Sequence, residues 1–389
     1  MDRPLKIAFV HPGNARDVRT WSGTLYFSKA SIERHIGTVT DLTPAPIRLF
    51  PYQAARKLVR SISGRNYSFH HDMSLARRYG RYFSKLLARD RYDLIFCPGG
   101  ANTLAFLETD VPIIYYSDAT WRSVRNFYSD YTNVISRTAR GGDELERLTL
   151  ERSSIILYPS YWAAASATED YGIDPGRVHV TFLGANLINP PAREAVLPRK
   201  IGTPIRLLMV GVSWEIKGGA IAREALVRLL EMGLDAGLTV VGCTAPAGAE
   251  HPRMTVIPFL NKQIPEERGL FERLWQEADF FILPTRFEAA GLVFCEASAY
   301  ALPAITTDIG GIPSLVREGR NGHTLPLEAG GGRYAEVIAE IARDPERYQA
   351  LCRSSREEFE TRLNWDAWGK SLAAIIGDTF PAFRGRLPD

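Results

Sequence analysis

Residues 279–307 read DFFILPTRFEAAGLVFCEASAYALPAITT. The stretch opens on an apolar run, DFFILPT (279–285), is interrupted by Arg286–Gly291, continues into a helix-forming segment and closes on a second strand-like run, PAITT (303–307). Continuous apolar runs without alternation are the mark of buried parallel strands, because helices cover both faces of the sheet. This one segment therefore predicts a strand–helix–strand unit of an α/β fold.

The same pattern extends in both directions. Toward the N-terminus lie IRLLMVG (205–211), LTVVG (238–242) and MTVIPFL (254–260), each followed by a helical segment. Before them a Pro-rich stretch, NLINPPAREAVLPRKIGTP (186–204), reads as a linker. An earlier series repeats the alternation: KIAFVH (6–11), DLIFCPG (93–99), PIIYYSD (112–118), IILYPS (155–160) and VHVTFLG (178–184), with helix candidates at 24–36 and 143–154. The expected architecture is two doubly wound Rossmann-like α/β domains, residues 1–185 and 205–365, with a ligand expected where the C-terminal ends of both sheets face a shared cleft. A helical tail, 366–389, is expected to pack back on the first domain.

With 389 residues, 45% apolar and 23% charged, the chain reads as globular, and disordered, collagen-like and disulfide-stapled classes are excluded. No apolar run approaches the ~20 residues that span a bilayer, and the opening MDRPLKIAFVHPG does not read as a signal peptide; a cytoplasmic location, including the inner membrane face, is expected. The four cysteines are scattered, with no CxxC pair and no histidine at ligand spacing, so no metal is expected. A net charge of +3, from 47 basic and 44 acidic residues, argues against a nucleic-acid binder.

The chemistry concentrates in the second half. In Arg286-Phe-Glu288-Ala-Ala290-Gly291-Leu292-Val-Phe-Cys-Glu296, Gly291 allows close backbone approach, and the free N–H groups at the helix start suit a phosphate or diphosphate. Glu288 falls in the loop and Glu296 inside the helix, up to about 12 Å away at 1.5 Å per residue. That is too far for the carboxylate pair of a retaining hydrolase, about 5–5.5 Å, but it fits the two ends of a nucleotide sugar. Both also read as surface acids at a helix N-terminus, which the dipole favours. Upstream, Gly211-Val-Ser-Trp-Glu-Ile-Lys217-Gly218-Gly219 forms a second strand-to-helix turn with a lysine across it. Downstream, Thr307-Asp-Ile-Gly310-Gly311-Ile-Pro313 forms a third.

Together these segments resemble the family-4 retaining glycosyltransferases of the GT-B fold, and LYPSYWAAASATEDYGIDPGRVHVTFLGAN (157–186) is similar to the end of that family's first domain. The resemblance implies a nucleotide-sugar donor in the second domain, an acceptor in the first, transfer with retention, and no cofactor or metal. It places Glu288 on the transferred sugar, Glu296 on the ribose and Lys217 on the diphosphate, with Gly218, Arg286, Ala290, Gly291 and Leu292 completing the donor site. The sequence departs from the family at Val212, where an arginine is common, and at Ala289 and Ala290, which replace the usual glycine and aromatic. Catalytically silent nucleotide-sugar binding, or isomerisation of sugar nucleotides, fits the same scaffold. A nicotinamide enzyme is disfavoured, since neither domain's first strand leads into GxGxxG.

The first half offers Gly23, which opens a helix where a second backbone approach to the donor phosphate is expected, or merely a capping turn. Asp118 follows a buried strand, where the family often carries histidine, and is a candidate to orient the acceptor hydroxyl or the sugar, or else a helix cap. His11 reads first as structural. Residues 52–90 hold nine Lys/Arg against Asp72 and Asp90, interleaved with Tyr67, Phe69, Tyr79, Tyr82 and Phe83. This segment reads as a solvated helical face, as a contact to an anionic membrane suited to a lipid-linked acceptor, or as a site for an acidic or phosphorylated one. Glycan and small-molecule acceptors are equally compatible.

Overall fold

A computed structural model describes residues 3–18, 20–128 and 131–388. The chain forms two compact units, Met1–Phe182 with Trp365–Asp389, and Leu183–Asn364. The strands are β1 (Leu5–Phe9), β2 (Gly37–Asp41), β3 (Leu94–Pro98), β4 (Ile113–Tyr116), β5 (Ile155–Tyr158), β6 (Val178–Val180), β7 (Ile205–Val210), β8 (Ala236–Val241), β9 (Met254–Ile257), β10 (Phe280–Leu283), β11 (Ala304–Thr307) and β12 (Gly322–Leu325). Helices of eight residues or more are α1 (Thr24–His35), α2 (Phe50–Ser63), α3 (Met73–Leu87), α4 (Ser136–Arg152), α5 (Tyr161–Glu169), α6 (Gly219–Glu231), α7 (Pro265–Glu277), α8 (Leu292–Ala299), α9 (Gly331–Ala342), α10 (Pro345–Thr361) and α11 (Trp365–Thr379).

In the first unit the strand order is β2-β1-β3-β4-β5-β6, and in the second β12-β11-β10-β7-β8-β9, with every pairing parallel. Both are doubly wound sheets, and the chain reverses direction across each sheet between β1 and β3 and between β7 and β10. The central strands β3, β4, β5, β10 and β11 are buried along their whole length, as their unbroken apolar sequences require.

Helix α11 is sequence-distant but belongs to the first unit. Ser31 Oγ of α1 donates to the Trp365 carbonyl (2.6 Å), and Trp368 packs edge-on against Phe96 of β3 with ring centroids 5.9 Å apart. Residues 186–204, expected as a linker, run mostly at the surface and are grouped with the second unit, with Val196 and Arg199 buried. The buried Arg199 guanidinium ties them down by donating to the carbonyls of Tyr300 (3.0 Å) and Gln276 (2.9 Å).

The basic segment also resolves differently from its membrane reading. In α3, Leu75, Tyr79, Phe83 and Leu87 recur every four residues and turn one face into the core, with Tyr67 and Phe69 packed in the same cluster. These aromatics serve the interior. Helix α2, by contrast, buries no residue, and its exposed large apolar residues are Phe50 (77% exposed), Leu58 (61%) and Ile62 (77%).

Candidate functional site

At the reversal between β7 and β10 the connections leave in opposite directions, so the C-terminal ends of these strands border a crevice. Two loops line it, 211–218 after β7 and 284–291 after β10. They are bound to each other: the Arg286 N–H donates to the Ile216 carbonyl (2.7 Å), and the fully buried Thr285 hydroxyl lies within donating reach of the carbonyls of Ile216 (2.9 Å) and Phe287 (2.8 Å). Gly218, at φ +73°, precedes α6, and a Cβ there would fall 1.9 Å from the Pro284 carbonyl oxygen. No side chain fits between these loops, which is the physical reason for the Lys217-Gly218 sequence.

Across this junction Lys217 Nζ donates to Glu288 Oε2 at 2.5 Å, with side-chain exposures of 15% and 13%. The Glu288 carbonyl in turn accepts from the Gly311 N–H (3.1 Å), which fastens the loop to the turn after β11. Gly291, at φ +81°, caps α8, so Leu292 and the following N–H groups open a helix beside Glu288, with Ala290 buried just ahead. Glu296 sits within α8 at 2% exposure, and Lys262 Nζ donates to its Oε1 at 3.3 Å. Lys262 also lies 4.1 Å above the Phe271 ring. Each glutamate thus has its own lysine rather than a shared proton.

Of the residues singled out by sequence, Lys217, Gly218, Arg286, Glu288, Ala290, Gly291, Leu292 and Glu296 all lie in these elements of the second unit. The Arg286 guanidinium is engaged with the Leu327 carbonyl. Val212 is 86% exposed, with no charge to offer. Sequence reasoning missed Lys262, because NKQIP carries no Gly turn, and Thr285, whose role depends on two carbonyls remote in sequence.

The first unit has its own cavity of about 800 Å³, at the ends of β1, β3 and β4, where its sheet also reverses. Asp118, following β4, lines it, and Trp21 Nε1 donates to Asp118 Oδ2 at 3.4 Å. Gly23, at φ +91°, caps α1 without a side-chain bond. His11 is structural in its local contacts, since its Nδ1 accepts from the Gly13 N–H (2.8 Å), and burial lowers its pKa to about 4. Burial likewise brings His71 down to about 3. The carboxyl group that sequence reasoning passed over is Glu146 of α4. It is 5% exposed, its Oε1 accepts from the Tyr115 hydroxyl (3.4 Å), and burial raises its pKa to about 8. Its only sequence signal is a charge on the otherwise buried side of α4, where Thr138, Gly142, Leu145 and Thr149 face inward.

Among the described residues no group of three or more His, Cys, Asp or Glu side chains is placed to hold a metal ion. No described helix is long and apolar enough to cross a membrane.

The family described as glycosyl transferases group 1 matches residues 204–344, and glycosyltransferase family 4 matches residues 32–187. The D-inositol 3-phosphate glycosyltransferase of Corynebacterium glutamicum is 24% identical over 289 residues, covering 69% of this chain and 67% of the relative. That of Thermobifida fusca is 25% identical over 319 residues, covering 76% and 72%. A relative of the same name from Catenulispora acidiphila is 28% identical, with the chain spanning 55% of its length. Among solved structures, Anabaena Alr3699/HepE in complex with UDP-glucose superposes with a TM-score of 0.62 at 14% identity, over 96% of this chain and 100% of that one. The lipopolysaccharide-biosynthesis glycosyltransferase WaaG gives 0.60 at 17%, over 95% and 100%. The two sheets are therefore those of the GT-B fold. The two family matches together span about three quarters of the residues, with the Lys217, Glu288 and Glu296 elements inside the glycosyl transferases group 1 match, and the chain is a glycosyltransferase.

Proposed function

We propose that the enzyme transfers a sugar from a nucleotide-sugar donor to an acceptor hydroxyl with retention of anomeric configuration. The observation that carries this reading is the Lys217–Glu288 pair at 2.5 Å, set between two glycine-capped helix starts. Lys217 and the N–H groups opening α6 and α8 are suited to hold a diphosphate, Glu288 to meet the sugar, and Glu296 to meet the ribose. In the step itself the bond from the anomeric carbon to the phosphate oxygen breaks, and the acceptor oxygen bonds to that carbon on the same face. The acceptor's proton passes to the departing phosphate oxygen. The protein's task is positioning and charge stabilisation. The UDP-glucose complex of Alr3699/HepE supports a nucleoside diphosphate sugar as donor.

Thermal-shift measurements with UDP, GDP and their sugar conjugates test the reading. A ligand that binds only the native state adds about 2.7 kcal/mol at 100 times its dissociation constant. A clear stabilisation by one base series is expected, and no shift from any of them would overturn the donor assignment.

The reaction proceeds without a divalent metal in this reading, because Lys217 and the helix starts carry the counter-charge. Transfer is expected to survive EDTA within about twofold. Loss in chelator that is restored by added metal contradicts it.

The acceptor side is served by peripheral contact with an anionic membrane through α2. Its exposed Phe50, Leu58 and Ile62 are accompanied by exposed Arg56, Lys57 and Arg60, the composition of an interfacial helix. In this reading the enzyme works at the cytoplasmic face of a membrane. Recovery on vesicles containing phosphatidylglycerol is expected to exceed recovery on neutral vesicles. It should weaken as salt shortens the Debye length below about 8 Å, and fall about tenfold or more in a Leu58→Glu/Ile62→Glu variant. Equal recovery on both vesicle types at low salt rules the contact out.

A further inference from the structure

We propose that Lys262 is a positioning residue of the donor site: it supplies the counter-charge of the buried Glu296 carboxylate and orients it, and so sets the preference for a ribonucleotide over a deoxyribonucleotide donor. The proposal rests on the glycosyltransferase reading above, in which Glu296 meets the ribose, and adds a residue that decides which class of nucleotide is accepted.

Glu296 lies in α8 between the buried Cys295 and Ala297 and is itself 2% exposed. A carboxylate withdrawn that far from water is costly unless a counter-charge and hydrogen bonds meet it. Lys262 Nζ, 3.3 Å from Oε1, meets that need. Ribose hydroxyls cannot replace it. They donate hydrogen bonds but bring no charge, and they are absent until the donor arrives, so the counter-charge has to belong to the protein.

Lys262 reaches Glu296 from a preset turn. The Asn261 N–H donates to Glu267 Oε2 (2.6 Å), the Gln263 N–H to Asn261 Oδ1 (3.0 Å) and the Ile264 N–H to the Asn261 carbonyl (2.9 Å). Glu267 thereby ties the turn to α7, the helix that also carries the buried Phe271, and Lys262 Nζ stands 4.1 Å from the centroid of that ring. An ordinary surface ion pair loses most of its gain to the ordering of two long side chains. Here the turn and the ring order the lysine, and the packing of α8 orders the glutamate.

The chemistry of the contact decides what it controls. An ionised carboxylate only accepts hydrogen bonds, and one engaged by lysine through Oε1 keeps the lone pairs of Oε2 for a ligand. Vicinal ribose hydroxyls are donors that match it, and hydrogen bonds to a charged acceptor are stronger than neutral ones. Disturbing the carboxylate therefore penalises nucleotides that carry those hydroxyls and spares those that lack them. Lys262 acts through Glu296, on a part of the donor that does not change along the reaction, so its effect belongs in KM.

The test is titration calorimetry on the full chain with UDP against 2′,3′-dideoxy-UDP and with GDP against 2′,3′-dideoxy-GDP, joined to steady-state kinetics with the sugar conjugate of the base that binds. The unaltered enzyme is expected to bind the ribonucleotide about tenfold or more tighter than its dideoxy counterpart. Lys262→Met is expected to narrow that preference about threefold or more and to raise donor KM with kcat within about twofold, whereas Lys262→Arg, which keeps the charge, holds the preference within about twofold. In a Glu296→Gln background the amide carries no charge to offset, so adding Lys262→Met should shift the preference by less than about 1.5-fold. Equal weakening of ribo- and dideoxynucleotide by Lys262→Met overturns the proposal, because the lysine then serves the diphosphate or the base. An unchanged preference overturns it too, as does a Lys262→Arg enzyme no better than Lys262→Met, or an undiminished effect of Lys262→Met in the Glu296→Gln background. The reading beneath it fails in a different way. A Glu296→Gln enzyme that keeps the full ribose preference removes Glu296 from the ribose, absence of binding in both base series removes the donor site itself, and either result takes the proposal with it.

Discussion

Replacing Glu288 with glutamine is expected to lower kcat by about 10- to 150-fold while donor KM stays level or falls. The range follows from loss of a charge-assisted hydrogen bond worth about 1.5–3 kcal/mol. The asymmetry follows from the ion pair. Glutamine removes the carboxylate that Lys217 contacts at 2.5 Å, so the full ammonium charge is left to the diphosphate in both ground and transition states. Donor binding therefore does not suffer, whereas a contact to the sugar that strengthens as it departs is lost, and such losses appear in kcat. Glu296→Gln is expected to do the reverse, raising donor KM with little change in kcat, because ribose contacts do not change along the reaction. Steady-state kinetics of both variants at saturating acceptor check this. Near-normal kcat for a folded Glu288→Gln enzyme would dismiss the donor-site reading.

Lys217→Ala is expected to cost still more, about 10²- to 10³-fold in kcat/KM for the donor. It deletes the main counter-charge for the leaving diphosphate and also leaves the poorly exposed Glu288 carboxylate unpaired beside that diphosphate. Two errors of charge thus arise from one substitution. Their separation is measurable, because Lys217→Ala/Glu288→Gln removes the repulsion and should bind donor more tightly than Lys217→Ala alone, though it stays slow. If the double variant binds donor no better than the single one, Glu288 does not face the diphosphate–sugar junction.

The parallel sheets were legible because the strands that define them are continuous apolar runs, such as FFIL and IILY, flanked by glycine or proline. The strands that went unrecognised are β2, GTVTD, and β12, GHTL. Both lie at sheet edges, where one side lacks a neighbour, so their sequences stay polar and carry no buried-strand signal. In the candidate site the glycine turns and the two glutamates were readable as a motif. The partners that hold them were not, since the Lys262–Glu296 pair and the Thr285 hydroxyl bonds join residues through folding rather than spacing. The aromatics of 67–83 misled for a related reason. A basic helix with a buried aromatic face and one that offers its aromatics to lipid have similar compositions, and only the helical phase of Leu75, Tyr79, Phe83 and Leu87 separates them. Glu146 looked like one more charge on an acidic, basic-rich helix until the packing of α4 turned it inward.

The return of α11 to the first unit has a consequence for biosynthesis. A ribosome releases residues in order, so the whole of Leu183–Asn364 emerges while the first unit still lacks Trp365 and Trp368. Until Trp365 and Trp368 appear, Phe96 and Tyr116 have no Trp368 to pack against, and Ser31 has no Trp365 carbonyl to bond. The second unit can finish first although it is encoded second. The nascent first unit waits with an open aromatic seam that aggregation or a chaperone can reach, and its completion is timed by the synthesis of the second unit rather than by its own sequence.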